Sequence, residues 1–436
     1  MKKIVKIMII LLILIIILTI VMICILKEPK NNILIKNTVG SGDAGEQLNS
    51  NIHDVTEKTE YYTVKNYIGS YLKALNKNST TYYNRDKYDE TIQQEYVYNI
   101  LSESYIKSAN ITMKNVLAKV SLYSENLKFL PIKIKSIEEE NLNTYIAYGI
   151  IVNLQNKYIS DLYIVVNLDL KNKTFAVEPL NKTYNHIDDI DIKNPNKSIE
   201  KNDYNEYIVQ KVTNQYVTNE YVSLYKILSL SKPEIIYGFM QEDYRNKRFG
   251  SLNKFKQYVE ENKNEITQIK LDEYLVNNYD DYIEYVAKDQ YENLYIFKES
   301  AVANYTFTLD TYTLPQEKFD KEYAKASNLN KVAMNIDKFF QMINAKDYES
   351  AYSVLVNNFK QTNFKNVEVF KQYMKSKLYT YNDVNFVKFS DDISGVFTYY
   401  IEISNRENNK DKKIKMNVVM QLLEENTYQL SFQIVD

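Results

Sequence analysis

The sequence predicts an α+β protein: one N-terminal transmembrane helix, then three tandem copies of a unit that places helices first and antiparallel strands after. Three observations carry this. Residues 1–26 hold a long uncharged apolar run. Val217–Tyr258 recurs at Val332–Tyr373 without a gap. The same helix face appears a third time, more diverged, at Val64–Leu75.

The repeat sets the domain count. A shift of 115 residues puts Val217 on Val332, Glu234 on Glu349, Tyr237 on Tyr352, Phe249 on Phe364 and Phe255-Lys256-Gln257-Tyr258 on Phe370-Lys371-Gln372-Tyr373. Met240 falls on Leu355 and Tyr244 on Phe359. A solenoid period is about 20 to 50 residues, so this repeat is a domain. At about 100 to 200 residues per domain the 436 residues hold two to four, and the duplication favours three.

The first helix of each copy shows one apolar stripe at helical spacing. In the first copy it is Val64, Ile68, Tyr71, Leu72 and Leu75. In the second it is Val217, Tyr221, Leu224, Tyr225 and Leu228. In the third it is Val332, Ile336, Phe339, Phe340 and Ile343. Between copies one and two the offset is 153 at this helix and 139 at the next, where Ile100-Leu101 and Tyr105 sit opposite Phe239-Met240 and Tyr244. The difference of 14 residues is an insertion near Lys77–Glu90, polar enough for a surface loop or an extra helical turn.

Strands follow the helices. They are expected at Thr144–Leu154, Tyr158–Leu170 and Thr174–Val177 in copy one. In copy two they are Thr267–Val276, Tyr282–Ala287, Leu294–Lys298 and Val302–Leu314, with a tight turn at Asp289–Asn293. In copy three they are Val384–Phe389, Val396–Ile403, Ile414–Leu423 and Tyr428–Ile434. This gives two or three helices and about four antiparallel strands per copy.

The boundaries follow. Residues 1–26 are a cytoplasmic tip and signal anchor, 27–58 a flexible tether, and 59–180 the first domain. Residues 181–203 are a linker, 204–315 the second domain and 316–436 the third; the charged stretch Pro315 to about Asn330 enters the third copy and can become helical there. From Ile7 to Leu26 there are 20 uncharged residues, 16 of them Ile, Leu or Val. At 1.5 Å rise each they span about 30 Å, the thickness of a bilayer's hydrocarbon core. Met22, Ile23, Ile25 and Leu26 are too large for a signal-peptidase site, which predicts an uncleaved anchor. Lys2, Lys3 and Lys6 favour a cytoplasmic N-terminus, so everything after about residue 27 is extracytoplasmic.

Composition excludes some classes. Tyr 41, Trp 0, Gly 8 and Pro 6, with abundant Lys, Asn and Ile, reflect codon bias in an AT-rich genome. Asn-x-Ser/Thr triplets at Asn78, Asn110, Asn172, Asn181, Asn196 and Asn304 are then expected by chance. Of the 54 basic residues three precede the apolar run, which leaves 51 against 56 acidic ones. No basic block is interleaved with aromatics, which argues against a nucleic-acid partner. Cys24, the one cysteine, lies in the apolar run, so no intrachain disulfide can form.

Helices followed by a meander of long strands resemble the nuclear transport factor 2-like (cystatin-like cone) superfamily. Copy three carries this best, with Phe339-Phe340, Asn344-Ala345-Lys346-Asp347-Tyr348, Ala351-Tyr352, and Asn363-Phe364 followed by Phe370-Lys371-Gln372-Tyr373. In copy two Pro233 stands in place of Tyr348. The resemblance implies three tandem cone domains, each two or three helices packed on a curved antiparallel sheet. Fold alone does not decide function, since the superfamily holds enzymes, binding modules and scaffolds. Membrane-tethered tandem copies resemble assembly proteins of Gram-positive conjugation and secretion machines.

Catalytic candidates are few. Enzymes of this fold place Asp, Tyr or His in the cone. His53 falls in the tether and His186 in the first linker, so both read as solvated linker residues. Asp310, in Leu309-Asp310-Thr311-Tyr312-Thr313, sits among strand formers and alternates with Leu309, which points it to solvent. Asp188-Asp189-x-Asp191 lacks the glycine and glutamate of a calcium loop. Gly40-Ser41-Gly42-Asp43-Ala44-Gly45 matches G-x-G-x-x-G without the strand–turn–helix context that grips a pyrophosphate.

No catalytic, metal or cofactor site is therefore expected. The expected function is a non-catalytic, single-pass membrane-anchored scaffold or assembly protein of a bacterial envelope complex, with the bilayer and envelope proteins as partners and room for a homo-oligomer. The alternatives are an extracytoplasmic binding module for a small molecule or cell-wall ligand and, behind it, a cone-fold isomerase or hydrolase.

Overall fold

The computed structural model describes residues 52–139, 142–169, 174–180, 212–315, 317–424 and 426–435. The proposed anchor, the tether up to residue 51 with its glycine motif, the linker 181–203, His186 and Asp188–Asp191 lie outside the described residues. No helix among the described residues is long and apolar enough to cross a membrane. Three α+β units follow one another along the chain.

The first unit opens with β1 (Ile52–Asp54) and the long helix α1 (Lys58–Ala74). A one-turn 3-10 helix at Thr80–Tyr82 and a hairpin of β2 (Tyr83–Asn84) and β3 (Lys87–Tyr88) come next. These are the inserted residues expected as a surface loop or extra turn. Helices α2 (Glu90–Ile100), α3 (Glu103–Ser108) and α4 (Val116–Lys119) lead into β4 (Leu127–Glu139), β5 (Leu142–Asn153), β6 (Tyr158–Asp169) and β7 (Thr174–Leu180). The sheet order is β1-β4-β5-β6-β7, all antiparallel.

The second unit runs α5 (Asn214–Ser231), α6 (Pro233–Phe239), α7 (Glu242–Arg248), α8 (Leu252–Glu261) and α9 (Lys263–Gln268). Its strands are β8 (Leu271–Asn278), β9 (Ile283–Asp289), β10 (Leu294–Ala301) and β11 (Asn304–Thr308), ordered β11-β10-β9-β8. The third unit runs α10 (Glu317–Lys325), α11 (Asn328–Asn344), α12 (Tyr348–Ser353), α13 (Asn357–Asn363) and α14 (Val367–Lys377). Its strands are β12 (Asn382–Ile393), β13 (Val396–Asn405), β14 (Ile414–Leu422) and β15 (Tyr428–Val435), in chain order.

Local chemistry starts these helices. Thr213, Ser251, Ser327, Asp347 and Asn366 each accept a backbone N–H of the first turn, which satisfies a donor the helix itself leaves unpaired. The expected apolar stripes of α1, α5 and α11 are all buried; none of the fifteen residues is more than 4% exposed. Each such side chain contributes roughly 1.5 to 3 kcal/mol by leaving water.

The units are equivalent residue by residue. Helices α6 and α12, α7 and α13, and α8 and α14 begin 115 residues apart. In each unit a residue just past a helix (α2, α6 or α12) makes one isolated parallel bridge to the last strand: Leu101 with Val177, Met240 with Phe307, and Leu355 with Leu430. Strand register carries the match inward. Val177 faces Val166, which faces Tyr145; Phe307 faces Phe297, which faces Tyr285; Leu430 faces Met420, which faces Phe397.

Several expectations need correction. Strand β4 was not expected, because Pro131 and three lysines break its apolar pattern; a bulge between Pro131 and Lys133 accommodates the proline, which has no N–H to give the ladder. His53, expected in a flexible tether, has its backbone in β1, opposite Ser136. Residues 267–270, expected as strand, end helix α9 and turn into β8. The expected strand Val302–Leu314 stops at Thr308. The stretch after Pro315 does form a helix, α10, and Tyr323 on it is 3% exposed, accepting from Asn335 at 2.8 Å.

Most buried apolar residues of units one and two form one contiguous core, those of unit three with Tyr312 a second, and Ile146 with Tyr163 a small third. Gly149 shows how tightly β4 and β5 approach. A Cβ there would lie 2.4 Å from the Leu130 carbonyl oxygen and 2.6 Å from the Phe129 ring. Gly149→Ala is expected to destabilise by about 1 to 3 kcal/mol through overpacking, read as a lower midpoint in urea unfolding. An unchanged midpoint would mean that the bulge at Pro131 yields freely.

Candidate functional site

Unit two buries a carboxylate that its sister units lack. Glu299 sits on β10, two residues past Phe297, and faces α5. The same position is Leu168 in unit one and Leu422 in unit three, two residues past Val166 and Met420. Glu299 Oε1 accepts from the Tyr221 hydroxyl, and Oε2 accepts from Tyr285 at 3.0 Å. Its counter-charge comes from unit one. The Lys58 ammonium, at the start of α1, lies 2.7 Å from Oε2 and also donates to the Tyr285 hydroxyl.

One turn pair further along α1, Lys65 repeats the device. It pairs with Glu220 on α5 and donates to the Tyr216 hydroxyl at 2.9 Å. Burial works against the Lys65 charge, but Glu220 beside it outweighs this and holds the ammonium above the ordinary lysine value. Between the two lysines Tyr61 and Tyr62 are buried, and Tyr62 packs edge-on against Tyr216 at 5.1 Å. Burial first, then the charge of Glu220, pushes both hydroxyls up, so they stay protonated. The interior of unit two is filled with rings: Tyr221 lies 4.2 Å from Tyr305 and 5.4 Å from Phe297.

The junction of units two and three is built around Arg248, the last residue of α7. Its Nη1 lies 3.2 Å from Asp347 Oδ1, and its Nε 3.6 Å from Asp310 Oδ2. Nη2 donates to the Ala345 carbonyl at 3.2 Å, and the guanidinium stacks on Phe249 and Tyr258. The three charged side chains are 6%, 4% and 2% exposed. Burial pushes the Asp347 carboxyl above the usual aspartate range, and Arg248 pulls it part of the way back. Asp347 Oδ2 has no hydrogen-bond partner among the described residues.

Beside this centre is a cavity of about 180 Å³, lined among others by Arg248, Gln257, Tyr258, Glu261, Asp347 and Glu349. Lys254–Glu349 at 3.2 Å and Lys371–Glu261 at 2.8 Å cross its rim between units. A second cavity, about 220 Å³, is lined by Asp310, Tyr312, Asn344 and Arg406. Arg406 reaches back to unit two, donating to the Tyr291 carbonyl at 2.6 Å, while Tyr291 stacks on Tyr381 at 4.3 Å.

Comparison of equivalent positions shows how the junctions are told apart. Lys232 and Asp347 are the same position, the residue before α6 and before α12. Lys232 pairs with Asp161 of unit one, and Asp347 with Arg248 of unit two. Both reach the preceding unit, with opposite charge. Arg248, Lys254 and Glu261 have Asn363, Val369 and Ser376 as their counterparts in unit three.

Asp310 is the one expected residue that the structure brings into this site, and it does not point to solvent. Its Oδ1 accepts from Tyr312 N–H at 3.1 Å and Thr313 N–H at 2.8 Å, and its Oδ2 from Tyr244 at 2.7 Å and Thr313 Oγ1 at 3.0 Å. This is an Asx turn, and the threonine three residues on was its signal in the sequence. Sequence reasoning missed Glu299, Lys58, Arg248 and Asp347, whose meaning lies in pairs distant along the chain. Glu299 and Asp310 each accept several donors and face a cation. Among the described residues no three of His, Cys, Asp and Glu come together to hold a metal ion. No protein-family model matches the chain, and no curated protein matches it.

The junctions have measurable consequences. Arg248→Met leaves two buried carboxylates without a counter-charge and is expected to cost about 3 to 5 kcal/mol in urea unfolding. Lys58→Met is expected to cost less, because Lys58 is a quarter exposed, and pairing it with Glu299→Leu recovers most of the loss. A double variant as unstable as the sum of the singles would show that the pair is not coupled. Asp347 has a sign of its own: a carboxyl raised by folding contributes stability below its unfolded pKa, which is lost as pH rises through the folded value. Asp347→Asn is expected to flatten that decline just above the usual aspartate range, measured as unfolding free energy against pH.

Proposed function

We propose that the chain is a non-catalytic, single-pass membrane-anchored scaffold whose extracytoplasmic part assembles a bacterial envelope complex of the conjugation or secretion type. The observation that carries this reading is the use made of the buried charges. Glu299, Glu220, Asp310 and Asp347 are each committed to a lysine or arginine, most of them across a unit boundary. Side chains that an enzyme of this architecture would aim at substrate here join the units to one another.

The apolar run at Ile7–Leu26 supports the anchor, with the N-terminus cytoplasmic and the units outside. Helices preceding an antiparallel meander in each unit support the resemblance to the nuclear transport factor 2-like superfamily and three domains in tandem. The partners proposed are the bilayer and envelope proteins.

A second reading, binding of a small or wall-derived molecule, is favoured by one observation: the 180 Å³ cavity between units two and three, with the unpartnered Asp347 Oδ2 beside it. It is smaller than the usual ligand site of about 300 to 1,000 Å³ and more evenly polar.

Crosslinking of the anchored protein in its own cells, followed by mass spectrometry, separates these readings. Recurrent capture of a few envelope proteins through one unit is expected. Efficient self-crosslinking with no envelope protein attached would overturn the scaffold reading.

A further inference from the structure

In units two and three the first strand of the meander lies at a sheet edge, and unit one shows what that position accepts. There β1 adds antiparallel to β4, with Ile52 opposite Ile137, His53 opposite Ser136 and Asp54 opposite Lys135. In unit two the equivalent strand, β8, has β9 on one side and no strand on the other among the described residues.

Register fixes the equivalence. Ser136 faces Tyr145 as Val276 faces Tyr285, and Lys133 faces Tyr148 as Glu273 faces Lys288. The footprint of β1 on β4, Lys135-Ser136-Ile137, is therefore Leu275-Val276-Asn277 on β8. None of the eight residues of β8 is buried; Tyr274 is 47% and Leu275 59% exposed. A strand edge that no described residue pairs with is a template for another strand.

The two edges have opposite charge. Unit one has Lys133 and Lys135 at the edge, and the added strand brings Asp54 opposite Lys135. Unit two has Asp272 and Glu273, with Asp280 and Asp281 in the following turn. The ammonium nearest Glu273 is the exposed Lys288, at 3.4 Å. A second copy does not suit this edge, because β8 paired with itself about Leu275 sets Glu273 against Asn277 and supplies no cation.

We propose that the outer edge of β8 docks an extended segment of a partner protein, added antiparallel in the register that β1 takes on β4. The segment carries an aliphatic side chain opposite Leu275 and a lysine or arginine opposite Glu273, two residues further along. Backbone hydrogen bonds supply affinity, and these two positions supply selectivity. The inference deepens the scaffold reading and rests on it for its biological meaning.

The test reads the edge alone. Full-length protein in detergent micelles is titrated with a fluorescein-labelled peptide, acetyl-Thr-Val-Leu-Thr-Lys-Thr-amide, and followed by anisotropy and hydrogen exchange. Binding with slowed exchange at residues 271–278 is expected. Glu273→Lys weakens it roughly five- to tenfold, and a peptide with Glu in place of Lys binds that variant better than it binds the wild type. Two outcomes overturn the proposal: exchange at β8 unchanged at saturating peptide, or protection of β8 without peptide that grows with protein concentration, which makes the occupant a second copy. Neither outcome bears on whether envelope proteins crosslink to the chain in cells, so the two readings fail separately.

Discussion

A charge taken out of water must meet its counter-charge, and in this chain the counter-charge stands on the neighbouring unit. Lys58 and Lys65 leave unit one to meet Glu299 and Glu220 of unit two; Arg248 leaves unit two to meet Asp347 of unit three. An ion that has lost its hydration is costly unless its partner is close and its remaining donors are used. Units one and two therefore each carry charge that the next unit helps to neutralise. The buried tyrosines follow from the same constraint: Tyr221, Tyr285 and Tyr244 give their hydroxyl hydrogens to carboxylates that need more donors than one cation provides.

The three units share a backbone plan and differ in what they bury. Where unit two has Glu299 and Tyr285, unit one has Leu168 and Tyr145, and unit three Leu422 and Phe397. Unit two, in the middle of the chain, holds the polar interior and touches both neighbours. Units one and three have more ordinary apolar interiors there. Polarity has been concentrated in the unit that has partners on two sides to satisfy it.

Much of this was legible in the chain. The stripes on α1, α5 and α11 are local, and 3.6-residue periodicity records burial directly. The 115-residue repeat gave the helix starts of units two and three, and turn chemistry marked Asp289–Asn293. Strand β4 escaped because proline and lysines mask a strand that tolerates both at a bulge. Strand β1 escaped because three residues carry no period. Helix α9 looked like strand because its Ile266 and Thr267 favour either state. The site was the least legible part: Lys58 and Glu299 are 241 residues apart, and no local pattern links them.

The charge inversion at Lys232 and Asp347 has a consequence for how such a chain can evolve. If units two and three exchanged places, Asp347 would face Asp161, and Lys232 would meet Asn363 at the position of Arg248: a repulsion and a neutral contact in place of two attractions. Nor can a fourth unit be appended by copying the third, because Asn363, Val369 and Ser376 offer no socket where Arg248, Lys254 and Glu261 do. The sequence thus encodes the order of these three parts, whereas repeats of interchangeable modules would be free to change places.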